Sequence, residues 1–405
     1  MFKITRSTLK PDITWGHEPY RKDAQQNLSN TRLPVAVHIP ENEPNVLFRA
    51  KFKTYATNFA FSSDDRKLLV STNDGYVHRA NLFKTDRQIS FSSESTYNPS
   101  LLPFIAVGKN KITLANHPSG KTALSPDCSI IVSGLYEEEV IAYKSGLIEK
   151  SCLSEITRFR EEAGIWSTAI SPNNKLIVLG LRNKIDIYNL IDIESGSPKY
   201  LASFRGYYYN LSPFHGYSLN MSVTKFSPDG KTLVCGGPKG HLWFFDINDM
   251  KTSISGNLKP FAGVKFNKAV DDVCFDPSGE RLAVSVSGGR LYTLNSTKRK
   301  PTIITEYSFP KNYIHTLKFS PDGKELLLSG AVRDEKKSCW HGLFRIINPS
   351  ADSAANSTRE EYMDTSGDLL ADYNRAGDSI VICSFNGDFE FRIRDSNGLF
   401  FANSA

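Results

Sequence analysis

The residues that could do chemistry in this 405-residue chain are scattered, and none of the common catalytic motifs is complete. A nucleophile elbow requires Gly-x-Ser-x-Gly, because its serine must sit on a tight turn between a strand and a helix. Residues 216–220 come nearest, but asparagine stands at the fifth position. The sequence holds no phosphate-binding glycine loop, dinucleotide fingerprint or His-Glu-x-x-His run. We therefore predict a protein without catalytic residues.

Candidate metal ligands and acid–base residues are equally dispersed. The eight histidines form no i, i+2 or i, i+4 pair, and the six cysteines form no Cys-x-x-Cys pair. We predict no metal and no cofactor, although a site with one ligand from each repeat of a closed fold remains an alternative. The acidic run Glu137-Glu138-Glu139 lies in a turn. We interpret it as a solvated tip, because acid–base catalysis needs a carboxylate held in an apolar pocket.

Composition and charge favour a folded protein of the cytoplasm. Hydrophobic residues make up 40% of the chain and charged residues 23%, and no segment has the pattern of a membrane span or a secretory signal. We interpret the cysteines as reduced. The net charge of +6 is too small and too dispersed to predict a nucleic-acid partner. Residues 289–345 hold eleven Lys or Arg against five Asp or Glu, so an anionic ligand or nucleic acid bound by this sector stays an alternative.

Self-similarity is the strongest signal in the sequence. The clearest copies are residues 222–247, 271–295 and 314–330, and weaker copies begin near residues 58, 122, 167 and 369. In each copy an alternating strand ends at a turn of the Ser-Pro-Asp-Gly kind, and a buried strand, a second turn and a third strand follow. The residues that end the first strand are 44 to 63 positions apart, at Ser62, Ser125, Ser171, Ser227, Asp276, Ser320 and Asn374.

This spacing predicts an all-β fold, a seven-bladed β-propeller with four-stranded antiparallel blades. Each four-stranded sheet can bury its two faces only against neighbouring sheets of the same kind, and such sheets usually close into a ring. We expect a strand within residues 45–53 to close the last blade, with the tail at 398–402 as the rival. Residues 1–32 are predicted to form a polar arm and residues 33–405 a single propeller, in which 154–162 is the best candidate for a short inserted helix.

Over about residues 58–393 the chain resembles degenerate propellers of the YVTN/WD-repeat-like type. The Phe-Ser-Pro-Asp-Gly turns at 226–230 and 319–323 carry this resemblance. The Trp-Asp pair typical of the family is replaced by Phe245-Asp246, and the opening Gly-His pair is missing, so the family's hydrogen-bond network is not carried over. The resemblance implies a non-catalytic scaffold for protein–protein interaction, acting as a monomer or in a hetero-complex.

The same resemblance implies that binding loops open on one face of the propeller. Two insertions, residues 204–219 and 331–340, fall on that face. Tyrosine, tryptophan and arginine dominate binding hot spots, and cations favour a protein or peptide partner with an acidic or phosphorylated segment. Two alternatives are that the tyrosines only anchor their loop, and that the protein is a lactonase-like enzyme with a metal at the channel mouth. The predicted partner-binding residues are Tyr207, Tyr208, Tyr209, Phe214, His215 and Tyr217 in the first insertion, and Arg333, Lys336, Lys337 and Trp340 in the second.

Overall fold

A computed structural model describes the chain in segments that belong to one compact unit, Pro34–Ala405. The predicted arm at residues 1–32 lies outside the described residues, so the division into an arm and a single propeller stays a prediction. The described residues are 35–38, 46–52, 56–61, 65, 67–72, 76–81, 104–109, 122–127, 129–134, 138–144, 154–182, 184–205, 221–237, 239–250, 258–296, 300–334, 339–350, 359–366, 368–384, 386–394 and 400.

Four-stranded antiparallel sheets follow one another along the chain. The first three contain β3 (Ala56–Phe61), β4 (Lys67–Thr72), β5 (Tyr76–Asn81) and β6 (Phe104–Lys109); β7 (Thr122–Leu124), β8 (Ile130–Gly134), β9 (Glu139–Lys144) and β10 (Ser154–Arg160); β11 (Ser167–Ile170), β12 (Leu176–Gly180), β13 (Lys184–Asn189) and β14 (Tyr200–Arg205). The next three contain β15 (Val223–Phe226), β16 (Thr232–Gly236), β17 (His241–Asp246) and β18 (Ala262–Lys265); β19 (Val270–Phe275), β20 (Arg281–Val286), β21 (Arg290–Asn295) and β22 (Thr302–Ser308); β23 (Asn312–Phe319), β24 (Leu326–Asp334), β25 (Cys339–Ile347) and β26 (Arg359–Ser366).

The two ends of the chain build a further sheet together, which corrects the predicted fold. The prediction of seven four-stranded blades is wrong: the described residues form six four-stranded blades, and the terminal strands form a five-stranded sheet. In this sheet β2 (Val46–Phe52) pairs with β29 (Asp388–Ile393), and β1 (Val35–His38) adds an outer strand whose proline-flanked sequence carries too little alternation to be recognised. The order is β1 (Val35–His38), β2 (Val46–Phe52), β29 (Asp388–Ile393), β28 (Ser379–Ser384) and β27 (Leu369–Tyr373).

The first strands of the sheets lie side by side around the centre of the molecule. Strands β7, β11, β15, β19, β23 and β27 contact one another in that order. The five-stranded sheet also packs against the first four-stranded sheet, since Leu68 and Val70 share a buried cluster with Val381 and Phe391. Asp65 reinforces this junction by accepting hydrogen bonds from the backbone N–H groups of residues 375 and 376 at 2.9 and 2.8 Å. The result is a β-propeller.

The repeated turns at Ser227 and Ser320 are held by their own side chains. Ser227 Oγ donates to Asp229 Oδ1 at 2.6 Å and accepts the N–H of Thr232 at 2.9 Å, so one hydroxyl ties the turn to the next strand. The same bonds recur in the turn at Ser320, where the serine hydroxyl and a backbone N–H stabilise the carboxylate and lower the pKa of Asp322. The Ser-Pro-Asp-Gly pattern is therefore a local structural device.

Helices are short in the described part of the chain. They are α1 (Leu190–Glu194) and α2 (Ile247–Met250), and each follows the third strand of its sheet. The predicted inserted helix at 154–162 is wrong, because residues 154–160 form β10, which pairs with β9 through a bulge. No helix among the described residues is long and apolar enough to cross a membrane.

Candidate functional site

The hairpin of β24 and β25 stands out at one end of the propeller. Because neighbouring strands are antiparallel, each first strand begins at the end where its second and third strands are joined. We call this end the upper face. Strands β24 and β25 each have nine residues, whereas the second and third strands of the other sheets have five or six. The hairpin is therefore a longer feature of the upper face than its equivalents in the other blades.

Two of the predicted partner-binding residues lie at the end of this hairpin. Arg333 on β24 and Trp340 on β25 are directly opposite each other in the strand register, so their side chains share one face of the hairpin. Both are exposed, and Trp340 exposes 39% of its surface. The remaining predicted residues lie outside the described part of the chain and stay predictions: Tyr207, Tyr208, Tyr209, Phe214, His215, Tyr217, Lys336 and Lys337.

Tyr313 on β23 joins this surface and was missed in the sequence. Its ring meets Trp340 edge-on, with the ring centroids 5.3 Å apart, and it exposes 43% of its surface. Tyr313 pairs with Ala331, two positions before Arg333 on β24, which places all three side chains on one face. The only sequence signal was an aromatic residue at the start of the strand that leads into the repeated turn. We name Tyr313, Arg333 and Trp340 the aromatic shelf.

Beside the shelf, the first strands of two neighbouring sheets carry bulges at equivalent positions. The register of β23 shifts between Ile314 and Thr316, and that of β19 shifts between Val270 and Asp272. Each bulge inserts one residue, His315 on β23 and Asp271 on β19. A bulge turns the inserted side chain out of the regular alternation, and such bulges are frequent next to functional sites.

His315 is held between acidic groups. Its Nε2 lies 3.0 Å from Oδ2 of Asp368, and its ring stacks on Tyr313 with the centroids 5.9 Å apart. Burial alone disfavours the protonated ring, but the hydrogen bond to Asp368 and the charges of Asp368, Asp271 and Asp272 outweigh it and raise the pKa of His315 above its usual value. Protonation of this histidine is therefore easier than in water.

Asp271 keeps its proton to an unusually high pH. Burial raises the pKa of Asp271 to about 6, and the neighbouring carboxylate of Asp272 adds to this shift. The hydroxyl of Ser287, which donates to both carboxylate oxygens at 2.7 and 2.9 Å, acts in the opposite direction, as does the charge of His315. The charge of His315 thus lowers the pKa of Asp271, and the charge of Asp271 raises the pKa of His315.

Asp272 has a structural task in this region. Its Oδ2 accepts the backbone N–H of Leu317 at 2.9 Å, a bond that runs from β19 to β23. One residue further along β23, Lys318 donates a hydrogen bond to Asp372 on β27 at 2.6 Å. Polar side chains therefore connect the central strands of three successive sheets below the shelf.

Aromatic, cationic and acidic groups lie close together on this face. The shelf offers two exposed aromatic rings and one guanidinium group, and the neighbouring cluster offers an imidazole with three carboxylates. Among the described residues, the three donor atoms that come close enough to share a metal ion belong to Asp334, Cys339 and His341 on the hairpin, and the group does not include His315 or Asp271.

The small antiparallel sheets, their central first strands and the repeated turns define a β-propeller. A solved structure similar to this chain is the β-propeller domain of Cps50 (Swd1) from Myceliophteria thermophila. The two share 12% sequence identity at a TM-score of 0.59, over 88% of this chain and 100% of that one. No protein-family model matches the sequence, and no curated protein matches it. The similarity therefore concerns the fold.

Proposed function

We propose that this protein is a non-catalytic scaffold that binds a protein or peptide partner on the upper face of its propeller. The observation that carries the proposal is the aromatic shelf, in which a tyrosine, an arginine and a tryptophan stand exposed on one face of an elongated hairpin. These three residue types carry most of the binding energy in protein interfaces, because they bury a large area at a small cost in side-chain entropy.

The geometry of the shelf favours a partner of particular chemistry. An apolar or aromatic side chain fits against Trp340 and Tyr313, and a carboxylate or phosphate on the same segment pairs with Arg333, which stands directly opposite Trp340. Lys336 and Lys337 follow Arg333 in the sequence and add positive charge to that stretch. We therefore propose that the ligand is an acidic or phosphorylated segment of a protein or peptide. The propeller itself is proposed to be cytoplasmic and to act as a monomer or in a hetero-complex.

The basic sector gives a second candidate, the binding of nucleic acid or another polyanion. Part of its charge is already neutralised in the fold, since Lys318 pairs with Asp372 and Arg290 pairs with Glu306 at 2.6 Å each. This observation favours the protein partner over the polyanion. Titration of RNA and DNA at rising salt separates the two, because phosphate binding weakens steeply with salt.

The deciding experiment compares affinity capture by the wild-type protein with capture by Tyr313→Ala and Trp340→Ala. The matched control is Tyr200→Ala, which removes another exposed tyrosine that also meets a neighbouring ring edge-on, on the outer strand β14. Loss of a hot-spot residue costs more than about 1.4 kcal/mol, so the same proteins should be recovered at least about tenfold less with the shelf variants. Equal recovery by all variants would overturn the proposal.

A further inference from the structure

The end of the β24–β25 hairpin carries a cysteine, a histidine and an aspartate on the face opposite the aromatic shelf. Cys339 and Asp334 form the last pair of the ladder, and His341 lies two positions further along β25. Residues two apart on a strand, and residues directly opposite each other, share a face. The hairpin therefore directs all three side chains to the same side.

The distances between the three side chains fit a single metal ion. Cys339 Sγ lies 3.2 Å from His341 Nε2, which in turn lies 3.7 Å from Asp334 Oδ2, and the three atoms are all within 4.8 Å of one another. In a tetrahedral zinc site the metal–sulfur bond is about 2.3 Å and the metal–nitrogen bond about 2.0–2.1 Å, which puts sulfur and nitrogen about 3.6 Å apart. The donor atoms are thus already near the spacing that zinc requires.

The chemistry of the donors selects the kind of metal. A thiolate and an imidazole favour zinc and related transition metals over magnesium and calcium, which prefer oxygen ligands. A thiolate and a carboxylate together balance the two charges of a divalent cation. The side chains of Asp334 and His341 are 28% and 23% exposed, so an ion can reach them from solvent. A water molecule can take the fourth position.

We propose that Asp334, Cys339 and His341 bind one Zn²⁺ ion that clasps the two strands of the hairpin at its end. The ion joins β24 to β25 at the last pair of the ladder, Asp334 and Cys339. Because Arg333 precedes Asp334 on β24 and Trp340 lies between Cys339 and His341 on β25, the metal also fixes the hairpin segment that carries Arg333 and Trp340.

The test uses the full-length protein, purified under reducing conditions and stripped with a chelator. Titration with Co²⁺ should give one equivalent of a thiolate-to-cobalt charge-transfer band in the near ultraviolet and the visible bands of tetrahedral cobalt, and Zn²⁺ should displace both. Cys339→Ser should abolish the charge-transfer band. His341→Gln and Asp334→Asn should weaken metal binding more than about tenfold, since even the loss of outer-sphere partners costs that much.

The matched control is Cys274→Ser, which removes another partly buried thiol that is not one of the three proposed ligands, on β19. This variant should bind cobalt like the wild-type protein. Circular dichroism verifies that every variant is folded, and the conservative Asp334→Asn substitution keeps the test decisive if Cys339→Ser does not fold. A charge-transfer band that persists in Cys339→Ser, or a metal affinity unchanged in His341→Gln and Asp334→Asn, would overturn the proposal, as would the absence of cobalt binding by the wild-type protein.

Discussion

The carboxylate of Asp272 on β19 accepts the backbone N–H of Leu317 on β23 at 2.9 Å, and thereby joins the central strands of two adjacent sheets. First strands have one edge without a neighbour in their own sheet, so their inward N–H groups need partners from elsewhere. Here a side chain from the preceding sheet supplies one. Asp272 is buried, with 9% of its surface exposed, so water does not readily replace it.

Removal of this acceptor should destabilise the protein. In Asp272→Ala the N–H of Leu317 loses its carboxylate partner, and a buried donor left in this way costs about 1–3 kcal/mol. Asp272→Asn keeps an acceptor oxygen and should cost less. Urea unfolding measures the free energy, and hydrogen exchange at the amide of Leu317 reports the bond itself. An exchange rate that is the same in Asp272→Ala and the wild-type protein would show that the bond does not protect this amide.

Two glycines with the same backbone conformation should respond very differently to alanine. Gly323 and Gly289 have φ angles of 71° and 73°, a region that costs other residues roughly 1–2 kcal/mol. A Cβ at Gly323 would lie 3.4 Å from Pro277 Cδ, an ordinary contact, whereas at Gly289 it would lie 1.9 Å from the carbonyl oxygen of Phe309. The backbone around Gly289 would have to move.

We therefore expect Gly323→Ala to cost about 1 kcal/mol and Gly289→Ala roughly 3 kcal/mol or more. Both values come from urea unfolding curves of the purified variants. Since the two positions share their φ, the difference between them measures the steric clash alone. Equal costs would mean that the turn at Gly289 can relax around the added methyl group.

The sequence was sufficient for those parts of the structure that depend on neighbouring residues. The turn at Ser227 could be predicted because Ser, Pro, Asp and Gly interact within a few positions, and the resulting bonds are present. The strand β2 was predicted from its alternation, and it pairs with β29. The five-stranded sheet was not predicted, because β1 depends on pairing with β2 rather than on a pattern of its own.

The candidate sites were harder to predict, because they depend on register and on bulges. Arg333 and Trp340 were recognised as residue types, but their direct opposition follows from the hairpin register. His315 reaches Asp368 through a bulge in β23, which nothing in its local sequence signals. The Cys-x-His pattern at 339–341 was visible, but its meaning requires Asp334 across the turn, which only the paired strands supply.

The aromatic shelf should contribute to binding more than to folding. Tyr313 and Trp340 meet edge-on while each remains more than a third exposed, and such pairs contribute about 0.5–1.5 kcal/mol beyond burial. A double-mutant cycle with Tyr313→Ala, Trp340→Ala and the double variant measures this coupling by thermal unfolding. We expect Trp340→Ala to lower stability by no more than about 1.5 kcal/mol. A loss of several kcal/mol would assign Trp340 to the core rather than to an interface.

A buried carboxyl group far from the shelf should make the stability of the protein depend on pH. Glu161 accepts the hydroxyl of Tyr188 at 2.5 Å and lies 3.9 Å from Lys184 Nζ. Burial raises the pKa of Glu161 to about 7, and the carboxylate of Asp186 adds to this shift, whereas Tyr188 and Lys184 oppose it. The folded protein therefore holds this proton more tightly than the unfolded chain, in which the pKa is 4.5.

The sign of the effect follows from this difference. The contribution of Glu161 to the free energy of unfolding is fully present below a pH of about 4.5. It is lost as the pH rises from there to about 7, and above that pH the free energy no longer changes through this group. One pKa unit corresponds to about 1.4 kcal/mol, so the loss amounts to no more than about 3.5 kcal/mol. Glu161→Gln removes the titrating group and retains an acceptor for Tyr188, and should therefore abolish this part of the slope.

The control for Glu161→Gln is its neighbour Glu162, which also pairs with Lys184, at 3.2 Å, but is 72% exposed. The hydrogen bond and charge of Lys184 lower the pKa of Glu162, so its titration falls below that of Glu161. Urea unfolding between pH 4 and pH 8 should therefore show the same decline in Glu162→Gln as in the wild-type protein, and a flatter profile in Glu161→Gln. If the profiles of Glu161→Gln and the wild-type protein coincide, Glu161 is ionised throughout this range, and the attraction of Lys184 outweighs the cost of burial.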